Sequence, residues 1–338
     1  MSRGQDNEKT SSKPLQGGKM KLDWRLVLVL VLSLGLMVSC ESTEDDDEEV
    51  SAFETLTTYM VAQDLDATSV ISGWNIAASA VTDNEANYFI VDIRSAAKYA
   101  EGHIPTAVNS TYTDVVTTVE DQNTTDLPVV IACYSGQSAA HAVVALRLSG
   151  YSDAKTLLFG MSSWAAQFDS WTGNVGNIAV GNANWTLPAS PAALLSDNID
   201  PVITTDLTDG AAILAERVDA ILAGFKGTAS SAILAAPGDY QILNYWGAAD
   251  NTLYGHIAGA HQVTPGTLTI AEDGLDILDP AQTIVTYCWT GQTSSMMTAW
   301  LTALGYDATS LKFGANSMIY ESLQGHKWSA LTADLPME

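Results

Sequence analysis

The segment Thr283–Tyr306, TIVTYCWTGQTSSMMTAWLTALGY, runs from an apolar stretch into a cysteine, a short polar turn with one glycine, and then an apolar pattern of helical period. That order predicts a strand, a tight loop with sulfur at its apex, and a helix. Pro128–Tyr151, PVVIACYSGQSAAHAVVALRLSGY, follows the same order 155 positions earlier (288 minus 133). Cys133 pairs with Cys288, Gly136 with Gly291, Gln137 with Gln292, and Gly150 with Gly305. Both glycines at the helix ends suit left-handed stops.

The likeness extends outward. LLFGMSSW (Leu157–Trp164) is answered by LKFGANSM (Leu311–Met318) after a one-residue deletion, and YFIVDIRSAAKYAEGHIPTAVN (Tyr88–Asn109) by YQILNYWGAADNTLYGHIAGAHQ (Tyr240–Gln262). Within each unit the expected strands, FIVDI, PVVIAC and TLLF, then QILNY, TIVTYC and TSLKF, are apolar almost throughout. Such runs alternating with helical patterns belong to a parallel sheet covered on both faces. The expected fold class is therefore α/β: two tandem domains, each a small parallel sheet with helices on both faces. A chain of 338 residues has room for two. The domains are expected at 53–171 and 194–338, joined by a linker at 172–193 rich in Gly, Asn and Pro and laid along the domain surfaces through Trp171 and Trp185.

The N-terminal 40 residues read as a signal peptide of the bacterial lipoprotein type, with Met20 an alternative start. Basic Lys19, Lys21 and Arg25 precede the apolar run Leu26–Val38, and LMVSC resembles a lipoprotein cleavage box in which Cys40 becomes the lipidated terminus. About 13 apolar residues suit a signal core, whereas a bilayer span takes roughly 20. Residues 41–52, with ESTEDDDEE, form an acidic, self-repelling tether. The expected location is the bacterial cell envelope, lipid-anchored, periplasmic or surface-exposed.

A formal charge of −25 argues against a nucleic-acid partner, which needs clustered Lys and Arg. It also repels dianions. The folded part holds only three arginines, Arg94, Arg147 and Arg217. Of the three cysteines, Cys133 and Cys288 occupy equivalent positions in separate repeats, so two free thiols rather than one disulfide are expected. No Cys/His spacing resembles a metal-ligand set. A thiol at the mouth of a ring of backbone N–H groups, at a helix start, should be held as a reactive thiolate of lowered pKa. A cysteine phosphatase shares this layout but needs an Arg six positions beyond the cysteine; Ala139 and Ser294 stand there.

VDIRSAAKYAEGHIPTAVN resembles the N-terminal signature of the rhodanese sulfurtransferases, and CYSGQS and CWTGQT resemble that family's active loop, Cys-x-x-Gly-x-Thr/Ser. The resemblance covers nearly everything from Phe53 onward and identifies the chain as similar to tandem rhodaneses. It implies that Cys133 and Cys288 are nucleophiles that carry sulfane sulfur as a persulfide from a small sulfur-containing donor to a thiol or cyanide-like acceptor, with no organic cofactor or metal. Tyr134, Ser135, Gly136, Gln137 and Ser138, and Trp289, Thr290, Gly291, Gln292 and Thr293, then form the active-site loops. Ser138 and Thr293 match the hydroxyl that closes the loop; helix N-capping is their structural alternative. Asp92 and Arg94 match substrate-binding positions, with a plain Asp92–Arg94 pairing as the alternative; Asn244 and Trp246 replace them in the second repeat, so the first should be the better site for an anionic donor. Because neither loop carries a cation, thiosulfate is a doubtful donor. His103 and His256, in GHI, match packed turn residues. The alternative function is a rhodanese-fold lipoprotein that binds sulfur species or a partner without turnover.

Overall fold

In a computed structural model, the described residues are 50–187, 199–272 and 274–338. The expected signal peptide, Cys40 and nearly all of the acidic tether lie outside them. The first repeat contains α1 (Ala52–Ala62), α2 (Ala67–Val70), β1 (Asn75–Ile76), α3 (Ala78–Val81), β2 (Phe89–Asp92), α4 (Ala96–Ala100), β3 (Val108–Asn109), α5 (Val115–Gln122), β4 (Val129–Ala132), α6 (Gln137–Leu148) and β5 (Lys155–Leu157). After a connecting strand β6 (Trp185–Thr186), the second contains α7 (Gly210–Leu222), β7 (Gly227–Thr228), α8 (Ser230–Ala235), β8 (Gln241–Asn244), α9 (Ala248–Tyr254), β9 (His256–Ile257), β10 (His261–Gln262), β11 (Ile284–Tyr287), α10 (Gln292–Ala303), β12 (Ala308–Leu311) and α11 (Gly314–Met318).

Each repeat forms a five-stranded sheet, in the orders β1-β5-β4-β2-β3 and β10-β8-β11-β12-β7, and every pairing within both is parallel. Alternation along the strands divides the core. Ile90, Val130, Ala132 and Leu157 face an outer cluster with Ile104, Met161 and Trp164, while Val91, Val129, Ile131 and Cys133 face inward. In the second sheet Ile242, Val285, Tyr287 and Leu311 face out, and Leu243, Ile284 and Ala308 face in. This two-faced burial is why the strands read as unbroken apolar runs.

The inward faces share one core. Helix α6 packs on α10 and α1 on α7, so Val143 and Leu146 join Met296, Met297, Trp300 and Leu301 in a single cluster between the sheets. The connection follows both surfaces: the buried Trp171 donates its indole N–H to Ser135 O (3.1 Å), Trp185 donates to Tyr254 O (3.0 Å), and β6 pairs antiparallel with β9. The chain's last residues return to the first repeat. His103 and Glu338 exchange two backbone hydrogen bonds (3.0 Å each), Trp164 donates its indole N–H to Pro336 O (2.7 Å), and Ala166 N–H reaches Asp334 Oδ1 (2.6 Å).

Candidate functional site

Cys133 directly follows β4 and Cys288 directly follows β11, each three residues before a glycine at φ 82° or 77° that caps α6 or α10. Left-handed backbone turns the loop back over its own sulfur and suits glycine. Both thiols are free, as their equivalent placement implied, and both are nearly covered, at 2% and 3% exposure. Cys133 Sγ accepts hydrogen bonds from the backbone N–H of Gly136 (3.1 Å) and Ala139 (3.4 Å), and Cys288 Sγ from that of Ser294 (3.4 Å).

A second segment braces each loop. Met161 N–H bonds Cys133 O (2.7 Å) and Ser162 N–H bonds Tyr134 O (3.1 Å); Ala315 N–H and Asn316 N–H do the same for Cys288 O (2.9 Å) and Trp289 O (3.2 Å). Gly160 and Gly314 make the approach possible. A Cβ on Gly160 would lie 2.5 Å from Cys133 O and 2.6 Å from Gly136 N, and one on Gly314 would lie 2.3 Å from Cys288 O. Signals for both existed in the paired FG dipeptides.

The expected lowering of the thiol pKa is not what the first site shows. Burial pushes Cys133 above the ordinary thiol value, and hydrogen bonds from Ser138 and from the N–H groups of Ala139, Ser135 and Gly136 pull it back only in part. The loop's donors act as foreseen, but desolvation of an anion in an apolar wall outweighs them. Nor are Ser138 and Thr293 helix caps: Gly136 and Gly291 hold the cap position with no side-chain bond, and Ser138 lies inside α6 with its hydroxyl turned to Cys133.

Arg94 and Asp92 are fully buried together. Nε lies 3.0 Å from both Asp92 oxygens, Nη2 lies 2.7 Å from Oδ2 and 2.7 Å from Gly102 O, and Nη1 alone has no partner. The guanidinium carbon stands 4.2 Å from the Phe168 ring centroid and 5.9 Å from that of the loop residue Tyr134. In the second repeat Trp246 stacks on the loop residue Trp289 (4.3 Å, 7°), which stacks on His326 (5.3 Å), and Asn244 Nδ2 donates to Tyr287 Oη (2.7 Å). A buried ion pair beside the first loop is thus matched by an aromatic stack beside the second. The other two arginines are structural: Arg147 binds the carbonyls of Val70, Ser72, Gly73 and Ala154, and Arg217 those of Thr302 and Ala303 at the end of α10. His103 stacks on Tyr99 (3.8 Å) and contacts its carbonyl; His256 pairs with Asn251, and burial lowers its pKa.

Two features went unseen in the sequence reading. Beneath Cys288 lies a chain of hydroxyls: Thr286 bonds Thr298 (2.8 Å) and Ser294 O, Ser294 Oγ meets Ser310 Oγ (2.8 Å), and Ser295 bonds Gly291 O. The aligned residues under Cys133 are Ile131, Val143, Ala139, Ala140 and Thr156. Comparing the repeats position by position would have shown it. The loops also touch each other. Gln137 Oε1 accepts the Phe313 N–H of the second repeat (2.8 Å), while the fully buried Gln292 reaches Gly136, its amide oxygen and nitrogen without hydrogen-bond partners. Among the described residues no group of three or more His, Cys, Asp or Glu side chains is set to hold a metal ion.

A parallel sheet that delivers cysteine into a hinge of N–H donors, made twice, defines a class that comparison with known proteins identifies. The rhodanese-like domain family model matches residues 77–167 and 244–318. The thiosulfate sulfurtransferase GlpE of Pseudomonas fluorescens (strain SBW25) is 32% identical over 84 residues, 25% of this chain and 76% of the relative; its counterpart in Ectopseudomonas mendocina (strain ymp) is 33% identical over 86 residues, 25% and 75%. Among solved structures, the thiosulfate sulfurtransferase of Pseudomonas aeruginosa shares 18% identity, over 84% of this chain and 48% of that one, with a TM-score of 0.29. The chain belongs to the rhodanese-like family, with two copies of its domain in tandem.

Proposed function

We propose that the chain is a sulfurtransferase that carries sulfane sulfur as a persulfide on Cys133 and Cys288. The observation that supports this most is the pair of equivalent hinges, each with a free sulfur at a strand end: Cys133 receives backbone N–H donors from the following turn and helix, and Cys288 one from the following helix. The cysteine thiolate attacks the outer sulfur of a donor; the donor's S–S bond breaks, its leaving group keeps the electron pair, and Cys–S–S⁻ remains. A thiolate or cyanide acceptor then takes that terminal sulfur and returns the electron pair to the cysteine. The loops Tyr134–Ser138 and Trp289–Thr293 stabilise the anion with aligned N–H groups rather than with cations. Thiosulfate is therefore a poor donor for this chain. Asp92 holds Arg94 in place, and Arg94 contributes to an anionic donor through Nη1 alone. The protein works in the bacterial envelope, tethered by lipid at Cys40, a placement that rests on the sequence.

Incubation with cysteine persulfide followed by peptide mass mapping tests the reading. Cys133 and Cys288 peptides should each gain the mass of one sulfur, released by cyanide as thiocyanate and absent from Cys133→Ser and Cys288→Ser chains. Sulfur uptake on neither cysteine refutes it.

A further inference from the structure

The second repeat holds a pocket of about 320 Å³, lined by polar and apolar groups alike, that the sulfur chemistry does not use. Lys312, Phe313, Ser230 and Ser231 line it, and the connecting segment around Asn174 and Gly176 forms another side. Lys312 directly follows β12. The register of β12 with β11 sets Ser310 beside Thr286, and two more residues in step bring Lys312 level with Cys288. Its backbone is fixed, with N–H to Thr228 O (2.9 Å) and O to Ser317 Oγ (3.2 Å), whereas among the described residues its ammonium has no ion-pair partner.

A half-buried lysine without an acid is unexpected in a chain with 39 Asp and Glu, none of which lines the pocket. Ser230 adds a second donor: the residue is 8% exposed, it lines the same cavity, and among the described residues its hydroxyl makes no side-chain hydrogen bond. The first repeat serves as an internal control. There Leu158 aligns with Lys312 and Ala78, part of the outer apolar cluster, aligns with Ser230. Two segments far apart in sequence have thus both changed from apolar to donor at positions that meet in one cavity. The repeat whose Arg94 counterpart is Trp246 carries its cation on the other side of the cysteine strand.

We infer that this pocket is a binding site for a small organic carboxylate, held by the Lys312 ammonium and the Ser230 hydroxyl. One cation and one hydroxyl match the two oxygens of a monoanion, and the cavity leaves room for a few further carbon atoms. A dianion is disfavoured by the −25 field around a single lysine. Phe313 links the pocket to the loops, since its N–H is the one bound by Gln137 and its ring meets Trp171 edge-on at 5.0 Å. The site goes beyond the sulfur-transfer reading and does not depend on it.

The test titrates the full chain with pyruvate and, separately, with sulfate, followed by calorimetry and tryptophan fluorescence. Pyruvate should bind saturably and more weakly as salt is raised. Lys312→Leu, which restores the first repeat's residue, should weaken it about tenfold or more, the worth of a charged hydrogen bond. Ser230→Ala, also a first-repeat residue, should weaken it severalfold and covers the case in which the lysine variant does not fold. Binding should persist in the Cys288→Ser chain, so failure of sulfur transfer and failure of this site are separate results. Equal affinity in wild type and both variants, or no saturable binding, overturns the site; sulfate binding tighter than pyruvate overturns its assignment to carboxylates.

Discussion

Replacing Arg94 by methionine keeps an unbranched apolar stem and removes the guanidinium from a site where both partners have no exposed side chain. Asp92 would then keep only the Arg94 backbone N–H (2.9 Å) of its former donors within that pair. Breaking a buried ion pair from one side costs about 3–5 kcal/mol, because the surviving charge is left uncompensated. The surviving backbone bond argues for the lower end, while loss of the desolvated cation over Phe168 adds about 2 kcal/mol. The expected total is about 5 kcal/mol. Pairing the change with Asp92→Asn removes the stranded charge, as Asn244 does beside Trp246, so the double variant should be more stable than Arg94→Met alone. Urea unfolding by linear extrapolation measures both. A cost for Arg94→Met within about 1 kcal/mol of zero, the level of a surface ion pair, or a double variant as unstable as the sum of the singles, would refute the account of the pair.

Three further outcomes are expected. In a Cys288→Ser chain, iodoacetamide should label Cys133 with a half-maximal rate above the ordinary thiol value of about 8.5, since burial favours the neutral thiol; labelling that saturates at neutral pH would contradict this. His141 is fully buried against Tyr112 and Phe225 with its pKa lowered to about 3, mainly by burial and then by Lys226. As pH falls below about 6.5 the unfolded chain takes up a proton that the folded chain refuses, so stability should drop with pH until about 3, and His141→Gln should flatten that part of the curve. Gln137→Ala leaves the Phe313 N–H unpaired at a cost of about 1–3 kcal/mol, and should speed alkylation of Cys288 in the opposite repeat; an unchanged Cys288 rate would mean the loops are not coupled.

The strands, the hinges and the two-sheet architecture were legible because each depends on local order: apolar runs buried on both faces, a glycine where the loop turns, a helical period after it. Trp246 in place of Arg94 was also plain in the aligned repeats. What could not be read was whatever depends on how the repeats face each other. Gln137 looks like an ordinary loop residue until Phe313 arrives from 176 positions away, and the hydroxyls under Cys288 resemble helix-surface serines until α10 is buried between the sheets. The Cys133 pKa failed for a related reason: the loop's donors are encoded locally, but the apolar wall that opposes them is assembled from several strands and helices.

The return of Asp334–Glu338 to the first repeat means that the first half of this protein is not a self-sufficient piece. A fragment ending before Asp334 would contain every strand and helix of the first repeat and still expose the apolar surface now under Leu335 and Met337, with the Trp164 indole N–H left without its acceptor. The chain order places the repeats side by side, but the last five residues stitch them into a loop that must close before the first one is sealed. Synthesis from the N-terminus would thus leave the outer apolar cluster of the first repeat, around Trp164, incompletely covered until the second repeat has been made.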